Sequence, residues 1–192
     1  MKQFELWKKQ ALHKLDKSSK GEIDKKVQSL CDTINQRNDM FTLSSCSGRI
    51  TLQKDTNGEK IENIWEFVSH EKVSTNQITK VLHKAKSNLL FLQNSCILHI
   101  CVVDLELARK LIHLGRTCGF NHAGIIALKT KIVVELICDA KIELPLFNLE
   151  YSLEEHFLEK LLQRANTNLD KSWQSIFKLE EIIKNVNSRR SI

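Results

Sequence analysis

Apolar residues recur with helical spacing in the first part of the chain. Residues 3–16 and residues 22–36 both place apolar side chains at positions i, i+3, i+4 and i+7. The polar segment DKSSKG lies between these two patterns. The spacing therefore predicts two amphipathic helices joined by a polar connection. A third helix is expected after Ser74, because Ser74 and Gln77 match the capping-box pattern that opens helices.

Short apolar runs predict strands in the middle of the chain. The stretch FTLSSCSGRI at 41–50 is expected to form one strand, paired with IENIWEFVSH through a turn at Thr56-Asn57-Gly58. The run CILHICVV is apolar on both faces, which is typical of a central strand. Four further runs predict strands: LLFLQ, GIIALK, KIVVELIC and IELPLF.

Capping residues predict the two later helices. Asp104 is a suitable N-cap for the helix that follows CILHICVV, and Gly119 is a suitable C-cap for its end. Ser152 and Glu155 form a second capping-box pattern, which opens a long helix to about residue 187.

The order of these elements predicts an α+β fold. The sheet is expected to be mixed or antiparallel and built from two β-β-α units, and a doubly wound parallel sheet is not expected. A chain of 192 residues is expected to form a single domain, 1–192. Within it we expect an N-terminal helical pair at 1–37, an α+β core at 38–150 and the long C-terminal helix at 151–192.

Composition narrows the class of protein. The chain has 29 Lys plus Arg against 23 Asp plus Glu, and the net charge of +6 favours an anionic partner such as nucleic acid. No signal peptide pattern and no membrane-spanning apolar run are recognised. The six cysteines are scattered without a CxxC pair, so we expect reduced thiols in a cytoplasmic protein and no metal site.

The polar centre of FTLSSCSGRI is the first candidate site. Ser44, Ser45, Cys46, Ser47 and Gly48 are small, and Arg49 follows them. Small side chains leave the backbone accessible, and an arginine can bind a carboxylate or a phosphate. The alternative is a polar, bulged strand end with a surface arginine. A third interpretation is nucleophilic catalysis by the Cys46 thiol, with His70 on the paired strand as its base.

Other polar residues within apolar segments are also candidates. His99 in CILHICVV is either a core histidine with satisfied hydrogen bonds or a site residue. Glu135 in KIVVELIC is interpreted as an edge-exposed or paired glutamate. The loop GFNHAG places Phe120 where it would either stack on a base or seal the core. Lys17 and Lys20 in DKSSKG suit contacts with RNA phosphates.

The chain resembles the tRNA wybutosine-synthesizing protein 3 family in a series of segments. They are LDKSSKGEID at 15–24, FTLSSCSGRI at 41–50, the segment from Trp65 to His70, ILHICVVDLELA at 97–108, GFNHAGI at 119–125, ELPL at 143–146 and LLQRANTNLDKSWQSI at 161–176. SSCSGRI is the most specific of them, and together they cover nearly the whole chain. The chain departs from the family at Ala123, where the family usually has serine.

The resemblance implies an S-adenosylmethionine-dependent tRNA N-methyltransferase without the Rossmann fold. It would methylate position 4 of the 4-demethylwyosine derivative of guanosine 37 in phenylalanine tRNA, beside the anticodon, during wybutosine synthesis. The alternative is a non-catalytic tRNA-binding or scaffold protein of the same fold.

The resemblance also implies a shared site, within which we assign roles from the chemistry of each residue. His70 or His99 would accept the proton of the attacking ring nitrogen. Lys17, Lys20 and Arg49 would contact RNA. The predicted cofactor-binding residues are Ser44, Ser45, Cys46, Ser47, Gly48, Arg49, Gly119, Phe120 and Gly124.

Overall fold

The computed structural model describes residues 2–13, 24–56, 64–146 and 155–188. The helices in these ranges are α1 (Lys2–Leu12), α2 (Lys25–Asn35), α3 (Thr75–Leu82), α4 (Leu105–Cys118) and α5 (Glu155–Ser188). The strands are β1 (Met40–Cys46), β2 (Arg49–Lys54), β3 (Trp65–Ser69), β4 (Leu89–Asn94), β5 (Ile97–Val102), β6 (His122–Ala127), β7 (Ile132–Ile137) and β8 (Ile142–Leu146).

The α+β class predicted from the sequence is confirmed, and of the expected mixed or antiparallel pairing the structure shows the antiparallel form. Every strand pair in the described residues is antiparallel, and the strands form two sheets of four. One sheet has the order β1-β5-β7-β6 and the other β3-β2-β4-β8. None of the helices in the described ranges is long and apolar enough to cross a membrane.

The chain divides into two compact units, each containing one sheet. The first unit comprises Met1–Ser47, Cys96–Asp139 and Ser172–Ile192, and the second comprises Gly48–Ser95 and Ala140–Lys171. The sequence-based prediction of a single domain stays a prediction. The expected turn at Asn57-Gly58, the capping box at Ser152, and Lys17 and Lys20 all lie outside the described residues.

The first unit buries one face of its sheet beneath helices. Leu98, Ile100, Val134 and Leu136 lie on this face and are fully buried. Helix α4 packs on β6 and β7. Gly115 permits this close packing, because a Cβ at that position would lie 2.8 Å from Leu136 Cδ2.

The second unit has its own core and its own polar contacts. Ile50, Leu52 and Phe91 are fully buried on one face of its sheet. The Asn166 side chain of α5 accepts a hydrogen bond from Val73 N–H and donates one to Val73 O, both at 2.9 Å. These two hydrogen bonds hold the chain in place just before α3. They also satisfy the polar groups of the Asn166 side chain, which packs within α5.

The capping predictions hold wherever the structure describes the residues. Gln77 Oε1 accepts a hydrogen bond from Ser74 N–H at 2.9 Å at the start of α3. Asp104 Oδ1 accepts from Leu107 N–H at 2.8 Å at the start of α4. Gly119 ends α4 with φ of 105°, a left-handed conformation that glycine adopts without steric cost.

The expectation that FTLSSCSGRI forms one strand is wrong. It contains all of β1 except Met40, together with the first two residues of β2. These strands belong to different sheets, and Ser47 and Gly48 separate them. Gly48 has φ of 100°, which breaks the extended conformation. β2 does pair with β3 as expected, whereas β1 pairs with β5.

Candidate active site

Four residues form a row across the sheet of the first unit. In the antiparallel register, Ser44 of β1 lies opposite His99 of β5, His99 lies opposite Glu135 of β7, and Glu135 lies opposite Gly124 of β6. Opposed residues in a sheet point to the same face, so these residues share one surface. The row combines three residues predicted as site residues with Glu135.

Hydrogen bonds join the side chains of this row. Ser44 Oγ lies 2.7 Å from His99 Nδ1, and His99 Nε2 lies 2.8 Å from Glu135 Oε2. An ionised carboxylate only accepts hydrogen bonds, so Nε2 of the neutral imidazole carries the proton. Nδ1 is then an acceptor, and the Ser44 hydroxyl donates to it.

The row lies at an accessible part of the sheet face. The His99 side chain is 27% exposed and the Glu135 side chain is 29% exposed, and Ser44 is exposed. Helix α1 covers another part of the face, where Phe4 packs edge-on against Phe41 with ring centroids 5.2 Å apart. A Cβ added at Gly124 would meet no atom within 4 Å, so there is space beside Glu135.

An apolar band runs beside the polar row on the same face. Cys46, Ile97 and Ile137 lie opposite one another in the register and are half-buried. Hydroxyl, imidazole and carboxylate groups suit the hydroxyl and amino groups of a small ligand, and an apolar band suits a planar ring. This face therefore fits a small ligand that combines a planar ring with polar groups.

Ser45 and Ser47, two of the small residues of SSCSGR, form hydrogen bonds within the first unit. Ser45 points to the opposite face from Ser44, and its hydroxyl is a hydrogen-bond partner of the Cys31 thiol. Ser47 is fully buried; its N–H and its hydroxyl donate to Asp24 Oδ2 at 3.0 and 3.3 Å. Asp24 thus anchors the end of β1 from the N-cap position of α2.

His70 and Cys46 belong to different units and different strand pairs. The His70 ring donates from Nδ1 to the Gly48 carbonyl oxygen at 3.1 Å, within the second unit. Cys46 lies opposite Ile97 of β5. The expectation that His70 sits on the strand paired with Cys46 is therefore wrong.

Arg49 forms a cation–π contact on the sheet of the second unit. Its guanidinium carbon lies 5.0 Å from the ring centroid of Trp65, and Trp65 is 43% exposed. Such a contact places the positive charge of the guanidinium over the face of the indole ring. The pair provides a positive charge and an aromatic face on an accessible strand.

The loop after α4 contributes mainly to packing. Phe120 is fully buried, so its ring seals the core of the first unit. A Cβ at Gly119 would lie 2.5 Å from Ser175 Oγ. Of the predicted residues in this loop, only Gly124 joins the row of Ser44 and His99.

Two residues now belong with the candidates: the sequence analysis considered Glu135 but favoured a structural role for it, and it assigned no role to Trp65. Glu135 looked like an ordinary paired glutamate, and only the register of β5 with β7 reveals His99 as its partner. Trp65 was recognised only as the start of a family segment. A tryptophan followed by a glutamate in a strand pattern was the available signal for it.

Comparisons of fold place this chain with solved structures that share its two-sheet α+β architecture. The PH1069 protein from Pyrococcus horikoshii matches with a TM-score of 0.86 and 32% identity, over 95% of this chain and 96% of that one. A hypothetical protein from Aeropyrum pernix matches with a TM-score of 0.72 and 25% identity, over 84% of this chain and 98% of that one. The fold is therefore distinct from the Rossmann sheet, as predicted.

Comparisons of sequence identify the class as methyltransferases and then the family. Residues 6–185 match the model of the family described as Methyltransferase TYW3, and the chain belongs to this family. A tRNA(Phe) 7-((3-amino-3-carboxypropyl)-4-demethylwyosine(37)-N(4))-methyltransferase from Thermococcus sibiricus is 35% identical over 95% of each chain. A tRNA wybutosine-synthesizing protein 3 homolog from Danio rerio is 30% identical over 94% of this chain and 74% of its own length. The family predicted from the sequence is confirmed.

Proposed function

We propose that this protein transfers a methyl group from S-adenosylmethionine to ring nitrogen 4 of the 4-demethylwyosine derivative at position 37 of phenylalanine tRNA. Relatives that match nearly the full chain bear names stating an N(4)-methyltransferase that acts on a 4-demethylwyosine derivative at position 37 of tRNA(Phe). The reaction belongs to wybutosine synthesis, and its place would be the cytoplasm. The observation that carries the proposal is the accessible Ser44–His99–Glu135 row in a chain of this family.

His99 is the residue of this chain that best fits the proton acceptor. A ring nitrogen that accepts a methyl group must give up its proton, and a positioned general base contributes on the order of 10²–10⁴-fold to such a step. His99 is accessible and oriented through both ring nitrogens. His70 is half-buried like His99, but its Nδ1 is hydrogen-bonded to a backbone carbonyl, whereas Nδ1 of His99 is hydrogen-bonded to a hydroxyl that can pass on a proton, so we assign His70 a supporting role.

S-adenosylmethionine, when bound, supplies a methyl group already activated on a sulfonium. Gly124 and Cys46 would border it, because they flank the polar row on the same face. The packing described above would shape the site from within the first unit, through Ser45, Ser47, Gly119 and Phe120. The main task of the protein is alignment of the reacting atoms, which contributes up to about 7–11 kcal/mol in favourable cases.

Arg49 is assigned to the RNA. An arginine held on an exposed tryptophan combines the two interactions by which proteins bind unpaired nucleotides, namely phosphate attraction and stacking on a base. Lys17 and Lys20 would add phosphate contacts. Because these contacts between basic side chains and phosphates are electrostatic, the affinity for tRNA should fall as the salt concentration rises.

The test is methyl transfer to tRNA from a strain blocked at this step. Wild-type protein and methyl-labelled S-adenosylmethionine should label phenylalanine tRNA and leave other tRNAs unlabelled. Arg49→Ala should lose labelling together with tRNA affinity, while its affinity for S-adenosylmethionine, measured by calorimetry, stays unchanged. Arg49→Lys is the matched control, which retains the charge and should retain part of the affinity.

One result would overturn this function, and two others would change the roles of residues within it. Saturable tRNA binding without any S-adenosylmethionine binding would identify a non-catalytic tRNA-binding protein. Loss of all labelling in Cys46→Ser, with both ligands still bound, would favour thiol catalysis. If Arg49→Ala loses affinity for S-adenosylmethionine instead, Arg49 binds the carboxylate of the cofactor and its assignment to RNA is wrong.

A further inference from the structure

We propose that Ser44, His99 and Glu135 form a proton relay. In this relay Ser44 takes the proton from the methyl-accepting nitrogen. Glu135 is the positioning residue that fixes the His99 tautomer. This inference rests on the proposed function and deepens it. It assigns a role to Glu135 and defines the path that the proton takes from the substrate to His99.

The geometry defines the direction of the relay. Both ring nitrogens of His99 are engaged, Nδ1 with Ser44 Oγ at 2.7 Å and Nε2 with Glu135 Oε2 at 2.8 Å. An incoming nitrogen therefore reaches the imidazole only through the Ser44 hydroxyl. Ser44 is the exposed end of the chain of hydrogen bonds, whereas His99 and Glu135 are partly buried.

The proton transfer is balanced at each atom. As the ring nitrogen gains its methyl group, its N–H bond breaks and the proton moves to Ser44 Oγ. The original hydroxyl proton of Ser44 moves to His99 Nδ1, which becomes imidazolium and later releases that proton to water. Ser44 is neutral before and after the step, and no covalent bond forms between Ser44 and the substrate.

Glu135 supports this route in two ways. It accepts from Nε2–H and so keeps Nδ1 free of a proton until Ser44 donates one. Its negative charge then stabilises the imidazolium that forms, which is the role a carboxylate has in hydroxyl–histidine–carboxylate triads. The bulge in β1 between Thr42 and Ser44 sets the register that brings Ser44 opposite His99.

The first test requires no substrate. Nitrogen-15 NMR of the neutral His99 ring should show a protonated Nε2 and an unprotonated Nδ1 in the wild type. Glu135→Ala should populate both tautomers, whereas Glu135→Gln retains an acceptor and should keep the wild-type pattern. A wild-type ring with its proton on Nδ1 overturns the proposal.

The second test measures transfer kinetics. Ser44→Ala and Glu135→Ala should both lower kcat by about 10²-fold or more, with KM for tRNA within about twofold of wild type, since a relay acts on the chemical step. Glu143→Gln is the matched control, because Glu143 is an exposed strand glutamate paired with Lys141 and should be unaffected. Wild-type kcat in Ser44→Ala overturns the relay while leaving the methyltransferase function intact. Absence of transfer by the wild type refutes the function but does not change the tautomer result.

Discussion

At the scale of single residues, two glycines of the first unit illustrate how the same residue type serves different purposes. Gly119 has φ of 105°, and an added Cβ would press on Ser175 Oγ, so glycine is required there by the backbone and by space. Gly124 lies in a strand, and an added Cβ would meet no atom within 4 Å. Gly119 serves the fold, whereas Gly124 leaves room at the candidate site.

We therefore expect opposite results from two matched substitutions. Gly119→Ala should lower the free energy of unfolding by about 1–3 kcal/mol, because a non-glycine residue is strained in this conformation. Gly124→Ala should change it by less than about 0.5 kcal/mol, yet reduce methyl transfer because the methyl group occupies the space beside Glu135. Urea titrations and the labelling assay measure the two effects. A stable, inactive Gly119→Ala protein would contradict this division.

The chemical identity of site residues was more predictable from the sequence than their partners were. Ser44 and His99 stood out because hydroxyl and imidazole groups interrupt strand-like segments. Glu135 did not, since its partner is 36 positions away in the chain and is set by strand register. The hydrogen bonds of Ser47 to Asp24 were not predictable either, because the two residues are 23 positions apart in the chain.

At the scale of elements, helix α4 depends on local signals at both of its ends. Asp104 accepts from Leu107 N–H, and its carboxylate also lies at the positive end of the helix dipole. Gly119 provides the left-handed C-cap. Because both signals are local in sequence, the residues that begin and end α4 are predictable from the amino acids themselves.

Removing the N-cap should destabilise the protein measurably. Asp104→Ala should cost about 0.5–2 kcal/mol of unfolding free energy, because it leaves the Leu107 amide without its side-chain acceptor. Asp104→Asn is the control, since asparagine caps helices about as well, and it should cost much less. Chemical denaturation at constant pH provides the measurement. Equal losses in the two variants would contradict a capping role.

Strand pairing was harder to predict than helix bounds. FTLSSCSGRI has the composition of one continuous strand with a polar centre, yet its two ends pair with β5 and with β3 and β4. The choice of partner depends on hydrophobic faces formed by distant segments. The local sequence contains only Gly48 as a sign of the break.

At the scale of the whole molecule, buried thiols link stability to pH. The pKa of Cys31 is raised to about 11, chiefly by burial, with the Ser45 hydrogen bond opposing part of the rise. Burial also raises the pKa of Cys96 well above its ordinary value. In the unfolded chain these thiols ionise near about pH 8.5, so above that pH the folded state holds more protons than the unfolded state.

Stability should therefore fall as the solution becomes alkaline. The contribution of Cys31 is complete below about pH 8.5 and is lost as the pH approaches 11, and it amounts to roughly 3 kcal/mol. The unfolding free energy, measured by urea titration between about pH 7.5 and pH 10, should decline in the wild type. Cys31→Ala should be less stable at neutral pH but decline less steeply. Parallel curves for the two proteins would contradict this account.

The interleaved order of the two units has a consequence for how the protein is made. A ribosome releases β1 first, yet its only sheet neighbour in the described chain, β5, starts at Ile97, and the sheet of the second unit is complete only after β8 ends at Leu146. The earliest product therefore contains β1 without its partner strand, although β2 and β3 can already pair with each other. Pairing between segments far apart in sequence slows folding, so the nascent chain is most exposed to aggregation and proteolysis while its second half is still being translated.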